Sequence, residues 1–130
     1  VCRVFADADL HTVNSDELDI ADRDAVFGLI RDTLKPEIVI NTAAFHNVPK
    51  CEEDPASAFM VNARGAQNLG AACEAAGARI LHVSTDYVFG HGGKRPYSEK
   101  DLPAPLSIYG ASKLAGEHLL AAECREHLIV

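Results

Sequence analysis

Tyr109 and Lys113 stand four residues apart, a spacing that puts both side chains on one face of a helix, one turn from each other. A phenol held beside an ammonium is a ready proton donor, because the cation favours the phenolate and lowers the tyrosine pKa. Hydride transfer to a ketone needs such a donor for the developing alkoxide. A second chemical group precedes this pair: the hydroxyls of Ser84 and Thr85, with Asp86 after them, close the apolar run Arg79-Ile80-Leu81-His82-Val83. A third group, Asn41-Thr42-Ala43-Ala44, follows the apolar run Glu37-Ile38-Val39-Ile40.

The elements that must position these groups alternate. The end of a helix falls over Cys2–Ala6 and a short strand over Leu10–Asn14. Asp22-Arg23-Asp24 opens a helix with Val26, Phe27, Ile30 and Leu34 on one face, and Pro36 stops it. Glu37–Asn41 reads as a strand covered on both faces. Pro55 to Ala76 has helical spacing and ends at Gly77, a good C-terminal cap. A strand over Arg79–Ser84 leads into Gly/Pro-rich chain to about Pro105, then a helix from Ser107 to about Glu123 and a strand beginning at Leu128–Val130. Apolar strands alternating with helices mean α/β architecture, a parallel sheet with crossover helices. Ligands in such sheets bind beyond the carboxyl ends of the strands, where Asn41–Ala44 and Ser84–Asp86 fall.

With 130 residues the chain is one domain's worth, and its formal charge of -7 without a basic patch argues against nucleic acid and anionic membrane as partners. Its four cysteines, Cys2, Cys51, Cys73 and Cys124, form no CxxC pair and read as reduced thiols. No signal peptide or membrane-length apolar run is present, so a cytoplasmic location is expected. The histidines are dispersed, and no metal site is expected. His82, in mid-strand, reads as a packed residue rather than a catalyst. Glu52-Glu53-Asp54 reads as a solvated helix entry with favourable dipole placement. Lys94 and Arg95 lie in the Gly/Pro-rich loop, where a phosphate contact is conceivable.

Five segments together closely resemble the extended short-chain dehydrogenase/reductase superfamily: Asn41-Thr42-Ala43-Ala44, Ser84-Thr85-Asp86-Tyr87-Val88-Phe89, Pro96-Tyr97-Ser98-Glu99, Pro105-Leu106-Ser107-Ile108-Tyr109-Gly110 and Ser112-Lys113-Leu114-Ala115-Gly116-Glu117. Within it the chain is most similar to the dTDP-4-dehydrorhamnose reductase family. That family reduces the 4-keto group of dTDP-4-dehydro-L-rhamnose with NADPH or NADH, giving dTDP-L-rhamnose for bacterial surface polysaccharide. The resemblance implies a Rossmann-like doubly wound sheet and a nucleotide-sugar substrate, and it allows a homodimer in a full-length parent.

Carried over position by position, the resemblance gives Tyr109 the proton transfer and Lys113 both the acidification of Tyr109 and a contact to the nicotinamide ribose. Thr85 orients the substrate carbonyl, with Ser84 facing cofactor or backbone. Asp86 lies near substrate by resemblance, or simply forms a turn. Asp19 and Ile20 meet the adenine, or Asp19 is a local helix cap. Ala43, Ala44 and Phe45 line the cofactor, with His46 and Val48 as substrate contacts. Here the family pattern is departed from at Phe45, His46 and Pro49. Asn62 resembles the superfamily's helix-bending asparagine, which can support a water relay, or else packs helix on strand.

The family begins with a strand and a Gly-rich turn for the cofactor pyrophosphate, and no GxxGxxG occurs in these residues. Residues 1–130 therefore read as a partial NAD(P)-binding Rossmann domain carrying the YxxxK helix, without the first strand and the C-terminal region. The absent strand would sit between Leu10–Asn14 and Glu37–Asn41, and without its ladder the isolated 130-mer is expected to fold poorly and to be inactive. Two other readings remain at this point: a sugar-nucleotide epimerase or dehydratase of the same superfamily, and a non-catalytic regulatory binding protein on this fold.

Overall fold

The structure is a computed structural model that describes residues 8–90, 96–98 and 100–130. The expected helix end over Cys2–Ala6, the basic pair Lys94-Arg95 and Glu99 lie outside the described residues.

Three parallel strands, β1 (Ile38–Asn41), β2 (Arg79–His82) and β3 (His127–Ile129), form a sheet in the order β1-β2-β3. Val39 pairs with Ile80 and Asn41 with His82, while Ile80 and His82 pair on the other side with His127 and Ile129. Parallel neighbours require crossovers, and helices supply them. Helix α1 (Arg23–Phe27) starts at Asp22, whose side chain accepts from the Ala25 N–H, and runs on as wider π-helical turns over Gly28–Leu34. Within those turns the Thr33 hydroxyl donates to the Gly28 carbonyl, five residues back. A short α2 (Val48–Glu53) is capped by Asn47. Asp54 caps α3 (Pro55–Phe59), which continues through π-helical turns at Met60–Gly65 into α4 (Ala66–Ala76). Gly77 ends it at φ 70°, its N–H reaching the Cys73 and Glu74 carbonyls, so the cap falls where the sequence placed it. Helix α5 (Ile108–Glu123) begins at Ser107, whose Oγ accepts from the Gly110 N–H.

The core joins Val26 and Ile30 of the first helix, Leu69, Ala72 and Cys73 of α4, Ile80 of β2 and Leu120 of α5. Helix α5 comes close to the wide turns of 60–65, where Gly116 faces the Asn62 carbonyl so tightly that a Cβ would collide with it. Cys51, Cys73 and Cys124 are all buried and free. Burial, with Cys124 beside it, pushes the Cys73 thiol up to about 12.

Two expectations fail. Leu10–Asn14 is not a strand: it has no ladder partner among the described residues, and Leu10 and Val13 remain exposed. Extended chain that pairs with nothing has no backbone hydrogen bonds to hold it as a strand. Nor is β1 covered on both faces. Among the described residues its inner face carries Val39 and Asn41 against the helices, whereas Ile38 on the other face is 55% exposed. Smaller shifts concern ends: β2 stops at His82 and β3 begins at His127, although the Val83 and Ser84 N–H groups extend the ladder to the Asn41 and Val130 carbonyls.

Candidate active site

The carboxyl ends of β1 and β2 meet α5, and the functional side chains gather there. From β2 the chain enters a single 3₁₀ turn, Asp86–Val88, with Thr85 in extended conformation before it. The Thr85 Oγ1 accepts from the Tyr87 N–H at 3.3 Å and donates to Asp86 Oδ1 at 3.4 Å, so Asp86 does form part of a turn. Tyr109, on the first turn of α5, sets its ring edge-on to Tyr87 with centroids 5.5 Å apart. This start of α5 is secured from outside: Glu52 of α2 accepts the Ile108 N–H at 2.7 Å. The acidic triplet is thus no solvated helix entry alone. Glu52 satisfies an open N–H at the positive end of another helix, and Asp54 caps α3.

Lys113 is buried, 2% exposed, and its Nζ donates to the Val83 carbonyl at 2.6 Å. The same Nζ lies 3.4 Å from His82 Nε2, and His82 Nδ1 lies 2.8 Å from Asn41 Nδ2. Among the described residues no hydrogen bond joins the Tyr109 hydroxyl to Lys113. The ammonium is drawn toward the strand tips instead. Burial lowers the Lys113 pKa, opposed by the Glu117 carboxylate one turn on. Burial, reinforced by Lys113, lowers the His82 pKa to about 4, so the ring is neutral at pH 7. The Ser84 hydroxyl donates a short hydrogen bond to Glu117, tying the β2 tip to α5 rather than reaching outward.

Asn62 clamps the β1 tip to the same helix. Its Oδ1 accepts the Phe45 N–H at 2.7 Å, and its Nδ2 donates to the Phe45 carbonyl and the Ser112 hydroxyl. Ser112 in turn donates to the Tyr109 carbonyl, and Cys51 Sγ also donates to Phe45 O. Asn62 therefore sits in the π-helical stretch and packs helix on strand loop, the second of the two readings that the sequence left open. Ala43 is exposed and Ala44 and Phe45 are half-buried beyond β1, leaving backbone accessible there. His46 is exposed, its Nδ1 3.4 Å from the Ala44 carbonyl, and Val48 opens α2. Neither bonds to Thr85, Tyr109 or Lys113 among the described residues.

Asp19 and Ile20 lie apart from this cluster. Asp19 Oδ1 accepts the Ala21 N–H in a local turn, and the helix cap is Asp22. Ile20 is 9% exposed and belongs to the hydrophobic core, its carbonyl held by Asn68 Nδ2. The sequence reading assigned no site role to His82, which lies 3.4 Å from Lys113, to Asn41, which bonds His82, or to Glu117, which accepts from Ser84. A signal existed for His82. A polar side chain inside an apolar strand, on the buried face, has to find a polar partner.

Parallel strands with helical crossovers and chemically active side chains beyond their carboxyl ends define a Rossmann-like α/β domain. The chain belongs to the RmlD substrate binding domain family, whose model matches residues 3–130. It is 47% identical over 104 residues to a dTDP-4-dehydrorhamnose reductase from Aggregatibacter actinomycetemcomitans, covering 80% of this chain and 35% of that protein. Identity is 44% over 129 residues to the enzyme of the same name from Mycolicibacterium smegmatis, covering 94% of this chain and 38% of that one. Among solved structures, the dTDP-4-dehydrorhamnose reductase of Bacillus anthracis in complex with NADP superposes with a TM-score of 0.91 at 34% identity, covering 95% of this chain and 44% of that one. The chain thus spans well under half the length of these relatives. No helix of the described residues is long and apolar enough to cross a membrane.

Proposed function

We propose that these residues form the catalytic segment of an NAD(P)H-dependent reductase acting on the 4-keto group of a nucleotide-activated deoxysugar, with dTDP-4-dehydro-L-rhamnose as substrate and dTDP-L-rhamnose as product. What supports this reading is the approach of the Thr85 turn to α5, where Tyr109 meets Tyr87 edge-on and Lys113 reaches the Val83 carbonyl. The relatives' names agree with it, as does the NADP held by the Bacillus anthracis structure.

The residues present suit the nicotinamide half of a dinucleotide. Ala43 offers uncrowded backbone beyond β1, and Lys113 and the Thr85 and Tyr109 hydroxyls supply donors beyond β2. NAD(P)H, when bound, supplies the hydride. The chain's part is to place and protonate the substrate oxygen. Thr85 donates a hydrogen bond to the carbonyl, which orients it and draws electron density toward oxygen. Tyr109 gives its phenolic proton to the same oxygen as negative charge develops. A protonated Lys113 four residues on favours the phenolate left behind. Asn62 and Ser112 hold the Tyr109 turn against the β1 loop, fixing where that proton is delivered. The reading places the enzyme in the cytoplasm.

The test is NADPH oxidation followed by absorbance with dTDP-4-dehydrorhamnose and the full gene product that contains these residues. Turnover that falls by about 10²–10⁴-fold in Tyr109→Phe, with NADPH affinity nearly unchanged, is the expected result. A Tyr109→Phe protein that reduces the sugar at the native rate would refute the assignment.

A further inference from the structure

Between β1 and α5 runs a buried polar chain that the proton transfer above does not use: Asn41, His82 and Lys113, exposed by 5%, 1% and 2%. Its hydrogen-bond directions are forced. The Ala43 N–H donates to Asn41 Oδ1 at 3.0 Å, which fixes the orientation of that amide and leaves Nδ2 facing the ring. Nδ2 can only donate, so His82 Nδ1, 2.8 Å away, must present its lone pair. A neutral imidazole has one N–H, and it is therefore on Nε2, 3.4 Å from Lys113 Nζ.

We propose that Asn41 locks His82 in its Nε2–H tautomer and that His82 is thereby a positioning residue for Lys113. An ammonium and an Nε2–H are both donors and cannot bond each other. Lys113 Nζ donates to the Val83 carbonyl and finds no acceptor in His82. Contact with Nε2–H favours the uncharged amine, so the ring limits the pH range over which Lys113 stays cationic. The other groups facing Lys113 do not replace this control. Glu117 on α5 favours the cation but is engaged by the Ser84 hydroxyl. Asn41 on β1, together with Asn62 and Ser112 on the packed helices, is uncharged, and Tyr109 lies one turn back on α5. Burial also keeps the ring from taking up a second proton near pH 7, so only one of its nitrogens carries a hydrogen.

The inference rests on the reductase reading, and its test separates the two. Nitrogen-15 NMR of the full gene product, labelled in histidine, should show His82 with a protonated Nε2 and a bare Nδ1 near neutral pH. A protonated Nδ1 would overturn the tautomer lock whether or not the protein reduces anything. The decisive variant is Asn41→Asp, which keeps the acceptor for Ala43 N–H but offers His82 an acceptor in place of a donor. The tautomer should then flip, Nε2 should accept from the ammonium, and the alkaline limb of kcat should move up by about one pH unit or more. KM for NADPH should stay within about threefold. A flipped ring with an unmoved limb would confine His82 to packing and sink the proposal. To separate ring from charge, Asn41→Asp is repeated in a His82→Phe background, where the limb should no longer respond. If the limb moves there just as far, the new carboxylate acts on its own and the relay is wrong. A native protein with the Nε2–H tautomer and no NADPH oxidation would uphold the lock and remove the reductase reading instead.

Discussion

The two faces of the sheet are built from similar residues and have opposite fates. On the inner face Val39, Asn41, Ile80 and His82 lie under the helices, and the two polar side chains among them are bonded to each other. On the outer face Ile38, Ile40, Leu81 and Leu128 are apolar, yet among the described residues Ile38 and Leu128 are left 55% and 56% exposed. Sequence hydrophobicity alone would rank the faces the other way. The difference teaches that polarity under the helices carries the chemistry: the buried polar groups are bonded because they must be, and that bonding fixes Lys113.

Several substitutions would break or sharpen this contrast, all measured on the full gene product. Ile80→Ala on the inner face should cost about 2–5 kcal/mol in urea unfolding, because β2 cannot close a cavity among Val26, Leu69 and Leu120. A loss under about 1 kcal/mol would mean the inner face is not the core. His82 makes that face sensitive to acid. Its pKa lies near 4 in the fold against 6.5 free, so between those values the unfolded chain binds a proton that the native chain does not. Stability therefore falls as pH drops from about 6.5 toward 4, by about 3 kcal/mol in all, and His82→Gln should flatten that slope. An unchanged slope in the variant would assign the acid sensitivity elsewhere. Ser107→Ala removes the α5 cap and should cost about 1 kcal/mol, with Tyr109 on the frayed turn.

Three helical segments were legible because their ends are chemically marked: Asp22 and Ser107 supply caps, Gly77 takes a left-handed φ, and the apolar spacing between them is regular, whereas the short α2, capped by Asn47, was missed. Nor was the fate of Leu10–Asn14 legible, since local sequence does not say whether a partner strand stands beside it. The same limit hid the one-sided cover of β1: an apolar run has no mark for which face meets a helix. In the site, spacing placed Tyr109 and Lys113 on one helical face, and α5 bears that out. It could not say which way a long, flexible lysine stem would point. That direction comes from the Val83 carbonyl, brought within 2.6 Å only by the crossing of β2 and α5. Asn62 was singled out by its resemblance to the superfamily's helix-bending asparagine, whereas the partners of His82 and Ser84 lie 31 to 41 residues away along the chain and become neighbours only in the fold.

The buried thiols lend the molecule a built-in stopwatch. With Cys51, Cys73 and Cys124 sealed and the Cys73 thiol held near 12, alkylating reagents at neutral pH find no thiolate at these positions until the helices part. Labelling at each of the three would then time the opening of its own helix, so the α2, α4 and α5 ends could be ranked by how soon each lets go.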